Sequence, residues 1–161
     1  MATSKTKLLL AGLKSAFDGP AWHGPSVKET LAKISSEDML KSTGKSHNII
    51  ELINHMTAWR EFAIKKLQRD EGYDVSPEKN FSEVRQHDAH LWQKALNDLE
   101  KSKDQLLELI GQIDDEKLKE SVEGSSYTYY FLLHGIIHHD IYHLGQIVLL
   151  NQLEAKNTPS R

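Results

Sequence analysis

Apolar residues recur at intervals of three and four along most of the chain, the spacing of one face of an α-helix. The first such segment predicts a helix from about Ser4 to Phe17, ended by the turn-rich stretch "DGPAWHGP". The second, "HNIIELINHMTAWREFAIKKLQRD", predicts a long amphipathic helix whose apolar stripe includes Ile49, Leu52, Ile53, Met56, Trp59, Phe62, Ala63 and Leu67. We expect Ser46 to cap it.

Two more long helices are predicted, from roughly Ser82 to Ile110 and from near Tyr127 to Leu153. Ser125 or Ser126 is the expected cap of the last one. Ser26, with Glu29 three residues on, has the pattern of a capping box for a short helix in "SVKETLAKI". No segment predicts a strand convincingly. We therefore expect an all-α four-helix bundle in one domain, residues 1–153, with a polar tail over 154–161.

The connection between the first two long helices is lengthy, so a simple up-down-up-down bundle with tight turns is not expected. The formal net charge of -3 gives no general reason to expect nucleic-acid binding. The chain has no cysteine, which excludes disulfides, thiolate metal sites and a cysteine nucleophile. No stretch reaches the ~20 apolar residues of a membrane span, and the three-leucine run near the start is too short for a signal peptide. A cytoplasmic protein is the expectation.

The last helix places four histidines in an apolar segment, "LLHGIIHHDIYHLGQIVLL". His134 and His138 form one pair four residues apart, and His139 and His143 form another. At about 100° per residue, His139 and His143 share a stripe with Leu132, Ile136, Gln146 and Leu150 that we expect to face the core. His134 and His138 lie on another face, as an alternative ligand pair or as exposed or interface residues.

A third face of this helix is wholly apolar and comprises Leu133, Ile137, Ile141, Leu144 and Val148. A helix that is apolar nearly all round is central or packs on a second subunit. We therefore expect a homodimer.

Two core-facing histidines at positions i and i+4 are what a metal ion requires from one helix. His55, in the apolar stripe of the second long helix, is a candidate third ligand, although a hydrogen-bonded core histidine is the simpler interpretation of it. Asp140 could accept a ligand N–H or form a salt bridge, and Gln146 could bind a water or pair with the facing helix. Imidazole ligands suit zinc and nickel alike.

The remaining histidines carry weaker signals. His47 is placed at a helix start, His87 and His90 on a solvated face, and His23 in a loop rich in glycine and proline.

Three ordered motifs resemble those of the DinB/YfiT-like superfamily. "LLHGIIHHDIYHLGQI" is similar to its "HGxxxHDxYHxGQI" signature, "HNIIELINHMTAWREF" to its "HSIxELxxHxxxW" helix, and "AWHGPSVKETLAKIS" to the "WHGPSxxExLxxL" opening of one branch. The resemblance implies a four-helix bundle with a divalent metal held by His55, His139 and His143. It also implies that Trp22 and His23 could border the pocket.

Relatives in that family include S-transferases that use low-molecular-weight thiols such as bacillithiol or mycothiol, a thiol-dependent isomerase, and proteins described as metal hydrolases. The resemblance thus implies a metal-dependent hydrolase or thiol S-transferase acting on an unknown small molecule. The alternative is a non-catalytic dimeric stress-response or interaction module whose metal site is structural or vacant.

Overall fold

The computed structural model describes residues 4–153 as four long α-helices and two short ones, with no β-strand among the described residues. In chain order the helices are α1 (Lys5–Asp18), α2 (Val27–Leu31), α3 (Ile49–Leu67), α4 (Pro77–Asn80), α5 (Ala89–Gly111) and α6 (Tyr129–Leu153). Single 3₁₀ turns lie at Ser36–Asp38 and Lys117–Lys119. The predicted all-α class is confirmed. The predicted tail, 154–161, lies outside the described residues.

The start of α3 differs from the prediction. Asn48, not Ser46, caps the helix: its Oδ1 accepts the Glu51 backbone N–H at 3.0 Å, and Glu51 Oε2 accepts the Asn48 backbone N–H at 3.2 Å. Ser46 is occupied elsewhere, accepting from the backbone N–H and hydroxyl of Thr43. By contrast, the predicted capping box of Ser26 and Glu29 at α2 is confirmed.

The starts of α5 and α6 also lie later than predicted. The segment after Ser82 is held against the start of α3, because Val84 donates its N–H to Glu51 and accepts from the Asn48 amide. Helix α5 therefore begins only after Asp88, whose carboxylate accepts the first backbone N–H groups of the helix. At α6, Thr128 Oγ1 accepts the Phe131 N–H at 3.3 Å, the role expected of Ser125 or Ser126.

Two hydrophobic clusters fix the directions of the helices. One joins the first halves of α3 and α5 to the second half of α6, for example through Ile53, Trp92 and Ile147. The other joins the second halves of α3 and α5 to α1 and the first half of α6. Helices α3 and α5 are therefore parallel, with α6 antiparallel to both. Residues 68–88 must therefore run the length of the bundle to connect the end of α3 to the start of α5. This connection, more than the long one before α3, excludes an up-down-up-down bundle with tight turns.

A buried ion pair lies between the two clusters. Arg60 of α3 is 0 % exposed and Asp140 of α6 is 1 % exposed. Arg60 donates from Nε and Nη2 to Asp140 Oδ2 at 3.0 and 2.6 Å, and from Nη1 to the Leu99 carbonyl of α5 at 3.1 Å. One guanidinium therefore joins three long helices at the level of His139.

The wholly apolar face of α6 packs inside its own chain. Leu133 and Leu144 on this face are 1 % and 3 % exposed and Ile141 and Val148 are half-buried, so the face offers little surface to a second subunit and does not support a homodimer. The exposed face of α6 carries Phe131, Tyr142 and Leu149 instead. Among the described residues, none of the helices combines the length and apolarity of a membrane crossing.

Candidate metal site

Three histidines from two helices converge on one point beside the ion pair. His139 Nε2 lies 2.9 Å from His55 Nε2 and 3.1 Å from His143 Nε2. His55 and His143 are buried and His139 is half-buried. They form a group whose donor atoms all lie within 4.8 Å of one another and which could hold a metal ion. The i, i+4 pair of α6 and the third histidine of α3 are thus brought together.

A backbone carbonyl orients His55. The connection between α3 and α5 passes over the site, and the Asn80 carbonyl oxygen accepts from His55 Nδ1 at 2.6 Å. The same residue accepts the Trp59 indole N–H on its side-chain Oδ1 at 3.0 Å. A carbonyl can only accept, so the ring proton of His55 is on Nδ1 and its Nε2 presents a lone pair.

Gln146 orients His143. Its Oε1 accepts from His143 Nδ1 at 2.7 Å, one turn along α6, which leaves the lone pair of His143 on Nε2. Orienting a histidine ligand was the role considered for Asp140. In the structure the Asp140 carboxylate instead accepts from Arg60 in the core. Because Asp140 is buried, it also forms no salt bridge at the helix surface. His139 Nδ1 is buried without a hydrogen-bond partner in the described structure.

Burial keeps the three imidazoles neutral. Desolvation lowers the pKa of His139 to about 3, and the repulsion that Arg60 and a protonated His143 or His55 would exert lowers it in the same direction. Desolvation is likewise the main reason why the pKa values of His55 and His143 are lowered. Neutral imidazole is the form that binds a metal ion.

The donor set fits a divalent ion. With lone pairs on Nε2 of His55 and His143, a proton on His139 Nε2 would satisfy only one of its two short contacts. A cation shared by the three nitrogens satisfies both contacts at once. Three nitrogen ligands also leave coordination positions for water or substrate, as catalytic sites do.

Two cavities reach the converging histidines, one at His143 and the other at His139. The larger, of about 380 Å³, lies between the loop before α3, the connection after it and the end of α6. Its walls are Thr43, Ser46, His47, Leu52, Phe81, Tyr142, His143, Gln146, Leu149 and Leu150. The smaller, of about 170 Å³, lies against His139 and is lined by Trp59, Tyr127, Phe131, Leu132, Gly135 and Ile136.

The other residues singled out in the sequence lie elsewhere. Trp22 is fully exposed and His23 exposed, and neither lines these two cavities. His134 and His138 are exposed and contact each other, with ring centroids 4.3 Å apart.

His87 and His90 are exposed, as predicted for a solvated face. These two histidines, like the exposed pair His134 and His138 of α6, lie outside the converging group.

Sequence reasoning did not identify Asn80, whose carbonyl orients His55, or Phe81 and His47, which line the larger cavity. Asn80 acts through its backbone, which leaves no signal in a sequence. His47 had a usable signal, because it stands four residues before Glu51, the spacing at which a histidine and a carboxylate meet on a helix.

The family profile described as DinB superfamily matches residues 22–147, which include all three histidines of the site. Comparisons with curated proteins and with solved structures gave no match. Because the matched residues make up most of the chain, this protein belongs to the DinB superfamily.

Proposed function

We propose that this protein is a metal-dependent enzyme in which His55, His139 and His143 hold a divalent ion, zinc or nickel, beside a substrate cavity. The observation that carries the proposal is the meeting of the three Nε2 atoms at a point where His143 lines one cavity and His139 another. A structural metal site has no need of an adjoining cavity, whereas a catalytic one requires space for the substrate.

The chemistry follows from the ligands and their surroundings. When bound, the ion would supply Lewis acidity, lowering the pKa of a bound water or thiol and polarising a carbonyl group. The Asn80 carbonyl and Gln146 hold two ligand rings with Nε2 toward the site. Leu52, Leu149 and Leu150 give the larger cavity an apolar wall that keeps bulk water from part of the substrate.

The proposed reaction is attack by an activated small nucleophile on a small-molecule substrate. The nucleophile is water in a hydrolase or a low-molecular-weight thiol in an S-transferase. A volume of about 380 Å³ suits a small molecule rather than a polymer segment. We place the reaction in the cytoplasm.

The proposal includes a homodimer. Its interface involves residues of α6 other than those that the sequence pattern indicated. Phe131, Tyr142 and Leu149 are 66 %, 64 % and 55 % exposed on α6, and Asp140, which is the single Asp, Glu, Lys or Arg residue of this helix, is buried. An exposed helix face without charged side chains is typical of a subunit interface. The same face favours the second candidate function, a dimeric interaction module with a structural metal.

Metal content tests the site. We expect the purified protein, loaded with zinc and dialysed, to retain about one ion per chain by elemental analysis. The His139→Ala and His143→Ala proteins should retain little zinc, because each substitution removes one of the three nitrogen donors. His138→Ala is the matched control: it removes a neighbouring histidine of the same helix that is exposed and outside the group.

Equal metal content in the His139→Ala, His143→Ala and His138→Ala proteins would contradict the proposal. To separate the two candidate functions, the zinc protein is assayed with 4-nitrophenyl acetate and with 2-mercaptoethanol plus a chlorobimane acceptor. Retained zinc without turnover of either probe would favour the interaction module.

A further inference from the structure

We propose that His47, held by Glu51, is the group that takes up the proton of the nucleophile at the three-histidine site. This role rests on the proposed function and adds a proton acceptor to it. Neither His47 nor Glu51 belongs to the converging histidine group.

Glu51 is a fixed, buried partner for His47. Glu51 is 7 % exposed, and each oxygen of its carboxylate accepts a backbone N–H: Oε1 from Val84 at 2.9 Å and Oε2 from Asn48 at 3.2 Å. His47 Nδ1 lies 3.2 Å from Oε2. A carboxylate accepts, so the ring proton of His47 is on Nδ1, and its Nε2 carries a lone pair on the side of the ring away from Glu51.

Phe81 sets the distance between His47 and the ligands. Its ring is parallel to that of His47, with centroids 3.6 Å apart, and to that of His55, with centroids 4.0 Å apart. Two rings at such distances cannot share one face of Phe81 without overlapping. The three rings therefore form a stack with Phe81 in the middle, which brings His47 close to the site but keeps it out of contact with His55.

His47 and His143 line the same cavity, so His47 shares that space with a nucleophile bound beside His143. His47 also lines another cavity, of about 510 Å³, together with Lys45, Glu83 and Arg85. The side chain of His47 is 46 % exposed, in contrast to the buried ligands. It can therefore exchange protons with solvent while its carboxylate partner stays fixed.

The proton step balances without any further reactant. The O–H bond of water or the S–H bond of a thiol breaks, the electron pair stays on oxygen or sulfur, and the proton passes to Nε2 of His47. Glu51 stabilises the imidazolium that results, through the Nδ1–H bond. The proton then goes to the leaving group or to solvent.

The first test measures protons rather than turnover. Zinc-loaded wild type, His47→Gln, Glu51→Gln and His90→Gln are titrated with 2-mercaptoethanol by calorimetry in buffers of different ionisation enthalpy. Wild type and His90→Gln, which changes an exposed histidine at the start of α5, should release clearly fewer protons to the buffer than His47→Gln. Proton release by Glu51→Gln should lie between these values, because His47 is still present but has lost the carboxylate that stabilises its imidazolium. Glutamine can still cap α3, so the start of the helix is kept. Zinc content should be equal in all four.

The second test is chemical rescue. Hydrolysis of 4-nitrophenyl acetate by His47→Ala should fall by about 10²- to 10⁴-fold, the usual contribution of a general base. Added imidazole should restore part of the rate in His47→Ala and leave that of His90→Gln unchanged. A merely structural role for an exposed ring would give no such rescue.

Different failures have different meanings. If wild type and His47→Gln both bind zinc and thiol and release equal numbers of protons, the role of His47 is overturned and the proposed function stands. The same conclusion follows if His47→Ala loses hydrolysis and imidazole does not restore it. If wild type binds no zinc, or binds zinc but neither binds the thiol nor hydrolyses the ester, the proposed function fails and the role of His47 fails with it.

Discussion

Burial and neighbouring positive charge lower the pKa values of His55, His139 and His143, that of His139 to about 3. In the unfolded chain a histidine titrates near pH 6.5. Between that pH and the lower folded value the unfolded state binds more protons, so the free energy of unfolding of the metal-free protein falls as the pH falls below about 6.5. The slope cannot exceed about 1.4 kcal/mol per pH unit per group, and the total loss is reduced because solvent screens a half-buried ring.

Urea unfolding of the chelator-treated protein at pH 7, 6 and 5 checks this expectation. His139→Gln should flatten the pH dependence, whereas His138→Gln, an exposed neighbour, should keep it. A wild-type protein equally stable at all three pH values would show that the histidines are not held neutral by burial.

At this scale the sequence predicted the converging histidines but not what orients them. The pair His139 and His143 followed from helix periodicity, because a four-residue spacing fixes two side chains on one face. From the sequence, Asp140 was the residue considered as acceptor of a ligand N–H, and Gln146 was expected to bind a water or the facing helix, whereas Gln146 in fact accepts from His143. Asp140 is instead bonded to Arg60, a residue of another helix whose direction no local pattern reveals.

At the scale of elements, Arg60 and Asp140 hold α3, α5 and α6 together at the level of the site. Removing one member leaves a buried charge without its partner. Arg60→Met and Asp140→Leu should each lower the free energy of unfolding by about 3–5 kcal/mol. The double variant should lose much less than the sum of the two, because it leaves no buried charge.

Urea denaturation of the three variants measures this coupling. Lys28→Met, at the exposed ion pair with Glu100, is the control and should cost less than about 1 kcal/mol. Additive losses in the buried pair would mean that the two side chains act independently.

The four long helices were predictable because α1, α3 and α5 carry a sustained apolar period and α6 is a long segment that is apolar nearly all round. Their starts were less so. Helix α5 begins only after Asp88, because the residues before it are bonded to the start of α3. A long-range contact of this kind, from Val84 to Glu51, overrides the local signal at Ser82.

At the scale of the whole molecule, the exposed face of α6 is the part of the surface that a second copy would cover. We expect the wild-type protein to sediment as a dimer at micromolar concentration, and Phe131→Lys/Leu149→Lys to sediment as a monomer, because two lysines would repel across a symmetric interface. Leu91→Lys, at an exposed leucine of α5, should remain dimeric. A monomeric wild type would remove the proposed dimer.

The bundle and its all-α class were predictable from pattern, but the helix directions were not. Loop length alone does not say whether a connection joins neighbouring ends or crosses the bundle. The crossing connection, residues 68–88, brings Asn80 and Phe81 over the histidines, and this placement follows only from the packing of the two clusters.

The contact between His55 and Asn80 also affects how the protein tolerates variation. The acceptor is a peptide carbonyl, so replacing the Asn80 side chain removes the bond to Trp59 and leaves the histidine held as before. Gln146, which holds His143 through its side chain, has no such protection. A saturation screen of the gene would therefore identify Gln146 as sensitive and pass over Asn80, although both orient one of the converging histidines.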